Sequence, residues 1–175
     1  MEKKYLIEDE WIRLRGDAYQ MPNGRVVSPY YVLEYPDWVN VTAITEDRQV
    51  VMVRQYRPGR NEVAWELPGG MMDKEESSLE TARRELLEET GFVADHFEEL
   101  ARTAVNPANH TNQSITILAT GARYVGEQQL DTTEDIEVGI IPWEEVMRML
   151  RDNELPQAMH VASLFYAIQR LNEIA

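Results

Sequence analysis

The chain has 175 residues, 31 of them acidic and 17 basic, for a formal net charge of −14, with 43% hydrophobic and 27% charged residues. This length carries one core with room for a small extra sheet rather than two full domains, and ordinary composition without repeats or low-complexity tracts argues against disorder. The acid excess argues against a nucleic-acid binder working through phosphate contacts, the lack of cysteine excludes disulfides and thiolate zinc, and the start MEKKYLIEDE has no apolar signal region, so with no apolar run of membrane length a cytoplasmic, membrane-free protein is expected.

Trp11 to Leu14, Val26 to Val27 and Tyr30 to Tyr35 have strand character, parted by turn signals at Pro22-Asn23-Gly24 and Ser28-Pro29. They predict a small antiparallel sheet in residues 1–35, and a sheet of that size is marginal by itself, so it is expected to pack on a neighbour, with a homodimer as the simplest arrangement. The main domain is expected over 36–175. It begins with a hairpin, Trp38 to Thr45 and Val50 to Tyr56, around Glu46 to Gln49, followed by Trp65 to Leu67 and a Pro68-Gly69-Gly70 turn. A helix then opens with Ser77 and Glu80 spaced as a capping box and ends at Gly91. Phe97 to Val105, Gln113 to Arg123 and Ile136 to Ile141 are expected strands, and Pro142 to Arg151 and His160 to Ile174 expected helices. In the last helix, Val161, Leu164, Phe165, Ile168 and Leu171 keep core spacing. This order of elements predicts an α/β/α sandwich around a mixed sheet.

The segment from Gly70 to Phe92 carries the chemistry. At about 100° per residue, Glu85, Glu88 and Glu89 share one sector of the helix while Leu79, Ala82, Leu86 and Leu87 gather on another. Three carboxylates this close repel one another and call for a cation, for which Mg2+ is the simplest candidate. A Gly-Gly turn beside them lets backbone approach a ligand, and the VRQYRPGR stretch supplies Arg54, Arg57 and Arg60 as candidate phosphate partners.

The spacing of Gly70, Glu76, Arg84, Glu85, Leu86, Glu88, Glu89, Gly91 and Phe92 resembles the complete signature box of the Nudix hydrolase family. The resemblance implies the Nudix fold and hydrolysis of a nucleoside diphosphate linked to another group, with Mg2+, or Mn2+ as a substitute, held by the box. It implies that Glu85 and Glu89 are the main metal ligands, that Glu88 ligates or assists, that the Gly69 carbonyl reaches a metal, and that Arg84 and Glu76 brace loop to helix. In relatives that cleave ADP-ribose, a base and a further ligand come from a distant acidic loop. The matching stretch here runs from Asp131 to Glu137, with Glu134 as the first choice; Thr132 stands where some relatives carry an acid, so the general base is either Glu134 or a box glutamate such as Glu88.

The N-terminal sheet, the VRQYR segment and Pro107 resemble the branch acting on ADP-ribose and nucleoside diphosphate sugars. There Arg57 matches a phosphate-contacting arginine, and Glu66 lies beside the Gly-Gly turn. Asn109, with Asn106, His110 and Asn112, forms a polar loop that either meets sugar hydroxyls or is simply hydrated. Trp38, Tyr30 and Tyr31 are candidates for stacking a base, or else core residues. Two rivals are weaker: a hydrolase of nucleoside triphosphates or dinucleoside polyphosphates lacks a use for the extra sheet, and a non-catalytic nucleotide sensor would not need every box acid.

Overall fold

The computed structural model describes residues 4–9 and 11–174; residues 1–3, 10 and 175, which fall inside the expected segments, lie outside it. A small antiparallel sheet comes first, β1 (Tyr5–Glu8), β2 (Arg13–Gln20) and β3 (Val26–Glu34), paired in the order β1-β2-β3. The expected break at Ser28-Pro29 is absent, because β3 runs through that dipeptide with the peptide bond in the cis form. Arg15 and Asp17 are buried in this sheet and joined by a 2.7 Å ion pair, with Glu34 as a second partner of Arg15. The sheet attaches to the rest through β3: Leu33 N–H donates to the Asn109 carbonyl at 2.8 Å and Thr111 N–H donates back to the Leu33 carbonyl at 3.1 Å.

The main body follows with β4 (Trp38–Thr45), β5 (Gln49–Arg57), β6 (Glu62–Glu66), β7 (Gly69–Met71), α1 (Ser78–Thr90), β8 (Phe92–Val93), β9 (His96–Ala104), β10 (Gln113–Tyr124), β11 (Ile136–Pro142), α2 (Trp143–Arg151) and α3 (Ala158–Ile174). Its mixed sheet runs β11-β5-β4-β10-β8, with β6 on β5, β7 on β4 and β9 on β10; β4 and β10 are parallel. Strand alternation divides the sheet into two faces. Val39, Val41, Ala43, Val51, Ile115, Ile117 and Ala119 pack with Ala82 and Leu86 of α1. On the other face, Val50 and Met52 pack with Val146 and Met149 of α2 and Leu164 of α3, while Ile44 and Leu118 meet Ala167. The result is the expected α/β/α sandwich. Leu86 is fully buried, so cutting it back to alanine would cost about 2–5 kcal/mol.

Two local expectations are corrected. The Gly69-Gly70 segment is not a free turn but the short strand β7, whose register places Gly70 opposite Val39. Phe165 is 53% exposed, since the inner face of α3 is set by His160, Ser163, Leu164 and Ala167. In the acidic sector of α1, Glu85 and Glu89 are 9% and 4% exposed, between helix and sheet.

The sheet is split where it matters. Strands β4 and β5 pair only at Ala43–Val51 and Ile44–Val50, then diverge. The freed edge of β4 takes β7 and that of β5 takes β6, and a cleft of about 810 Å³ opens between the two halves.

Candidate active site

Helix α1 is aimed by its ends. The Ser77 side chain accepts from the Glu80 N–H while Glu80 accepts from the Ser77 N–H, completing the capping box, and Gly91 closes the helix in the left-handed conformation at φ 71° with its N–H on the Leu87 carbonyl. This fixes which turn of the helix faces the cleft. Glu85, Glu88 and Glu89 all line it, beside Gly69 and Gly70.

The two glycines are required by the close approach of β7. Gly69 has φ 155°, and a Cβ there would strike the Val39 carbonyl; a Cβ on Gly70 would strike the Glu85 carboxylate. The Gly69 N–H donates to Glu89 Oε2 at 2.8 Å. Burial raises the Glu89 carboxyl to about 8, with the charges of Glu85 and Glu134 pushing the same way and the Gly69 N–H and Arg57 pulling back. Glu85 is raised as well, by burial first, against the pull of Arg84.

A cation is already present beside the box. Arg84 donates from Nε to Glu76 at 3.0 Å, which holds Glu76 below the usual carboxylate range, and from Nη1 to Glu85 at 2.9 Å and Glu88 at 3.1 Å. Arg84 therefore braces loop to helix as expected and also answers part of the like-charge repulsion. Arg84 bridges Glu85 and Glu88, and no three acidic or histidine side chains among the described residues converge as a metal shell. The donor chemistry nonetheless fits a hard divalent ion: carboxylate oxygens and a glycine carbonyl on a bare backbone edge, around a buried carboxyl that a cation would relieve.

The acidic loop reaches the same place. Gln128 Nε2 donates to the Glu89 carbonyl at 2.6 Å and to the Ile136 carbonyl at 3.1 Å, and Gln129 N–H donates to the Glu88 carbonyl at 2.8 Å. These bonds lash the loop to the end of α1. Glu134 lines the cleft, is exposed, and accepts the Asp131 N–H at 2.9 Å. Its charge is felt at Glu85, Glu89 and Arg57.

Opposite the glutamates, Arg57 donates from Nε to the buried carboxylate of Glu66 at 2.9 Å and from Nη2 at 2.5 Å. Arg57 Nη1 has no protein partner among the described residues. Trp38 lines the cleft and packs on Tyr35 with ring centroids 5.6 Å apart, and Arg60, in an ion pair with Glu62, lines it too. Arg54 instead pairs with Glu137 away from it. Asn109 is not brought to the cleft: its side chain accepts from Asn106 at 2.8 Å and its backbone holds β3. Tyr30 and Tyr31 lie outside it as well, Tyr30 bonding the Ala108 carbonyl. Two contributors had no distinguishing signal in the sequence, Gln128 as the loop anchor and His160, a 4% exposed residue of α3 that lines the cleft floor.

A split mixed sheet between helices, with a capped acidic helix on one lip of the cleft, is the architecture of a known hydrolase class. A family model described as NUDIX domain matches residues 35–162, and the chain belongs to the Nudix family, whose hydrolases generally use divalent metal ions. Among its relatives, an ADP-ribose pyrophosphatase of Bacillus subtilis (strain 168) is 28% identical over 170 residues, spanning 97% of this chain and 89% of that protein. An ADP-ribose pyrophosphatase of Mycobacterium tuberculosis (strain ATCC 25618 / H37Rv) is 32% identical over 153 residues, spanning 86% and 73%. The crystal structure of an ADP compounds hydrolase matches with a TM-score of 0.87 over 100% of this chain and 94% of that one, at 21% identity, a likeness of fold. Among the described residues no helix is long and apolar enough to cross a membrane.

Proposed function

We propose that this protein is a cytoplasmic Nudix pyrophosphohydrolase that cuts the phosphoanhydride of ADP-ribose or a related nucleoside diphosphate sugar, giving a nucleoside monophosphate and a sugar phosphate. The observation that carries this reading is the buried Glu89, flanked by Glu85 and Glu134 and facing Arg57 across one cleft. The ADP-ribose pyrophosphatase relatives support the substrate class. Mg2+, or Mn2+ in its place, would be held by Glu85, Glu89, the Gly69 carbonyl and, with rearrangement away from Arg84, Glu88; Glu134 completes the set from the loop. When bound, the ion neutralises phosphate charge and lowers the pKa of water.

The chain's own groups do the rest. Arg57, pinned through Nε and Nη2 by Glu66, keeps Nη1 free to donate to a non-bridging phosphate oxygen, and its planar fork gives that contact a fixed direction. Trp38 offers a flat wall for the base or sugar. Glu134 serves as general base in preference to Glu88: among the described residues its carboxylate accepts only the Asp131 N–H, whereas Glu88 must first be released from Arg84. It takes a proton from water as the water oxygen bonds to phosphorus and the bridging P–O bond breaks.

Residues 1–35 serve as a dimerisation segment and substrate wall, and residues 36–175 as the hydrolase domain. Trp11, in the connection between β1 and β2, and Val26 and Tyr31 of β3 are 70%, 68% and 52% exposed, apolar surface that a second copy would cover. Purified protein incubated with ADP-ribose, nucleotide sugars and triphosphates, with Mg2+ or chelator, should release monophosphate from the first two only with metal. Glu89→Gln should abolish turnover; wild-type rates in that variant would overturn the metal assignment. Sedimentation should give a dimer that a W11D/V26D double variant converts to monomer, and a monomeric wild type would refute the interface.

A further inference from the structure

We propose that His160 is a specificity-determining substrate contact, donating its Nε2–H to an uncharged oxygen of the sugar adjacent to the scissile phosphates; this rests on the hydrolase reading above. His160 stands in the first turn of α3, 4% exposed, and lines the cleft. Its Nδ1 accepts the Leu67 N–H at 3.4 Å, so in the neutral ring the proton resides on Nε2. That donor has no protein partner among the described residues, and it is not one of the buried polar atoms sealed from solvent. A donor that faces a cavity in this way is open to a ligand acceptor that takes the place of water.

The position of the ring says what that acceptor is. Leu67 is joined to Gly69 through the bend at Pro68, and His160 lines the same cleft as Gly69, Gly70 and Arg57, so the ring faces the part of a ligand next to the phosphates. Arg57 already meets the anionic part of the ligand. Burial, helped by Arg57 and opposed by Glu66, pushes the imidazole down to about 4, so at neutral pH it is an uncharged donor, suited to a hydroxyl or ring oxygen rather than a phosphate.

Two isosteric substitutions separate the donor from the scaffold. In His160→Asn the amide oxygen can replace Nδ1 as acceptor for Leu67 while the Nε2 donor is lost; in His160→Gln the amide N–H reaches the Nε2 position. KM for ADP-ribose should rise about tenfold in H160N with kcat within about threefold, and stay within about threefold of wild type in H160Q. The Kd of chelator-treated protein for ADP-ribose should follow the same order. The H160N penalty should persist when adenine is exchanged for another base. Unchanged KM and Kd in H160N, equal losses in both variants, or a penalty that disappears with the base exchange would each overturn the contact. Binding of ADP-ribose without turnover by the wild type would overturn the hydrolase reading while leaving the Kd comparison to judge His160, and no binding at all would overturn both.

Discussion

Gly70→Ala tests the site with a single methyl group. Gly70 lies in β7 without a positive φ, so its backbone accepts alanine; what is missing is room. The added Cβ would sit 2.6 Å from Glu85 Cδ and 2.9 Å from Oε2, and ordinary contact between such atoms needs about 3.5 Å. The carboxylate must therefore retreat by about 1 Å or more, and the oxygen nearest the added Cβ, Oε1, is the one that Arg84 holds at 2.9 Å. Overpacking of this kind costs about 1–3 kcal/mol of stability, whereas misplacing a reacting group by about 1 Å can cost about 10²-fold in rate. Steady-state kinetics and thermal melts should show kcat falling by about two orders of magnitude with a modest loss of Tm. Gly126→Ala is the control, since nothing lies within 4 Å of its added Cβ. If G70A turns over at the wild-type rate, the tight seating of Glu85 against β7 has no role in the reaction.

Two buried groups give opposite pH dependences. Glu89, raised to about 8 in the metal-free fold, contributes stability that is full below its unfolded value near 4.5 and lost as pH rises through 8, worth up to about 5 kcal/mol at 1.36 kcal/mol per unit; denaturation of metal-free protein across that range should show the decline, and E89Q should flatten it. His160, lowered to about 4 with Glu66 and Arg57 nearby, contributes stability present above about 6.5 and lost as pH falls through 4, so H160Q should unfold at a lower pH than wild type; an unshifted acid midpoint would refute its burial as a neutral ring. Thr42, fully buried with its Oγ1 lacking a partner among the described residues, should gain about 1–2 kcal/mol on replacement by valine, read from the denaturant midpoint, and a loss would mean the hydroxyl is satisfied.

Much of this arrangement was legible because it follows local periodicity. The strand-like runs Trp38 to Thr45 and Val50 to Tyr56 around Glu46 to Gln49 announced a hairpin, and Ser77, Glu80 and Gly91 marked both ends of α1. The grouping of the box glutamates followed from helical spacing alone. Their burial did not, since it depends on β7 closing over α1, and a three-residue strand containing two glycines has no propensity signal. Likewise Gly16 and Asp17 are poor strand formers, yet β2 runs through them because pairing with β3, the Gly16 N–H bond to the Lys4 carbonyl and the Arg15–Asp17 ion pair override preference. The Arg57–Glu66 pair arises from the packing of β5 on β6, and His160 sits among apolar neighbours whose spacing reports only a helix. Contacts set by tertiary register are written in no single stretch of chain.

The divergence of β4 from β5 has an implication for how such a chain can change its diet. Pro58, Gly59 and Arg60, in the turn joining β5 to β6, border the cleft yet contribute nothing to either apolar layer. A longer or bulkier turn there would reshape the chamber's mouth while the glutamates, their bracing arginine and both interiors stayed as they are. Selectivity and reactivity are thereby housed on different pieces of backbone, free to drift apart.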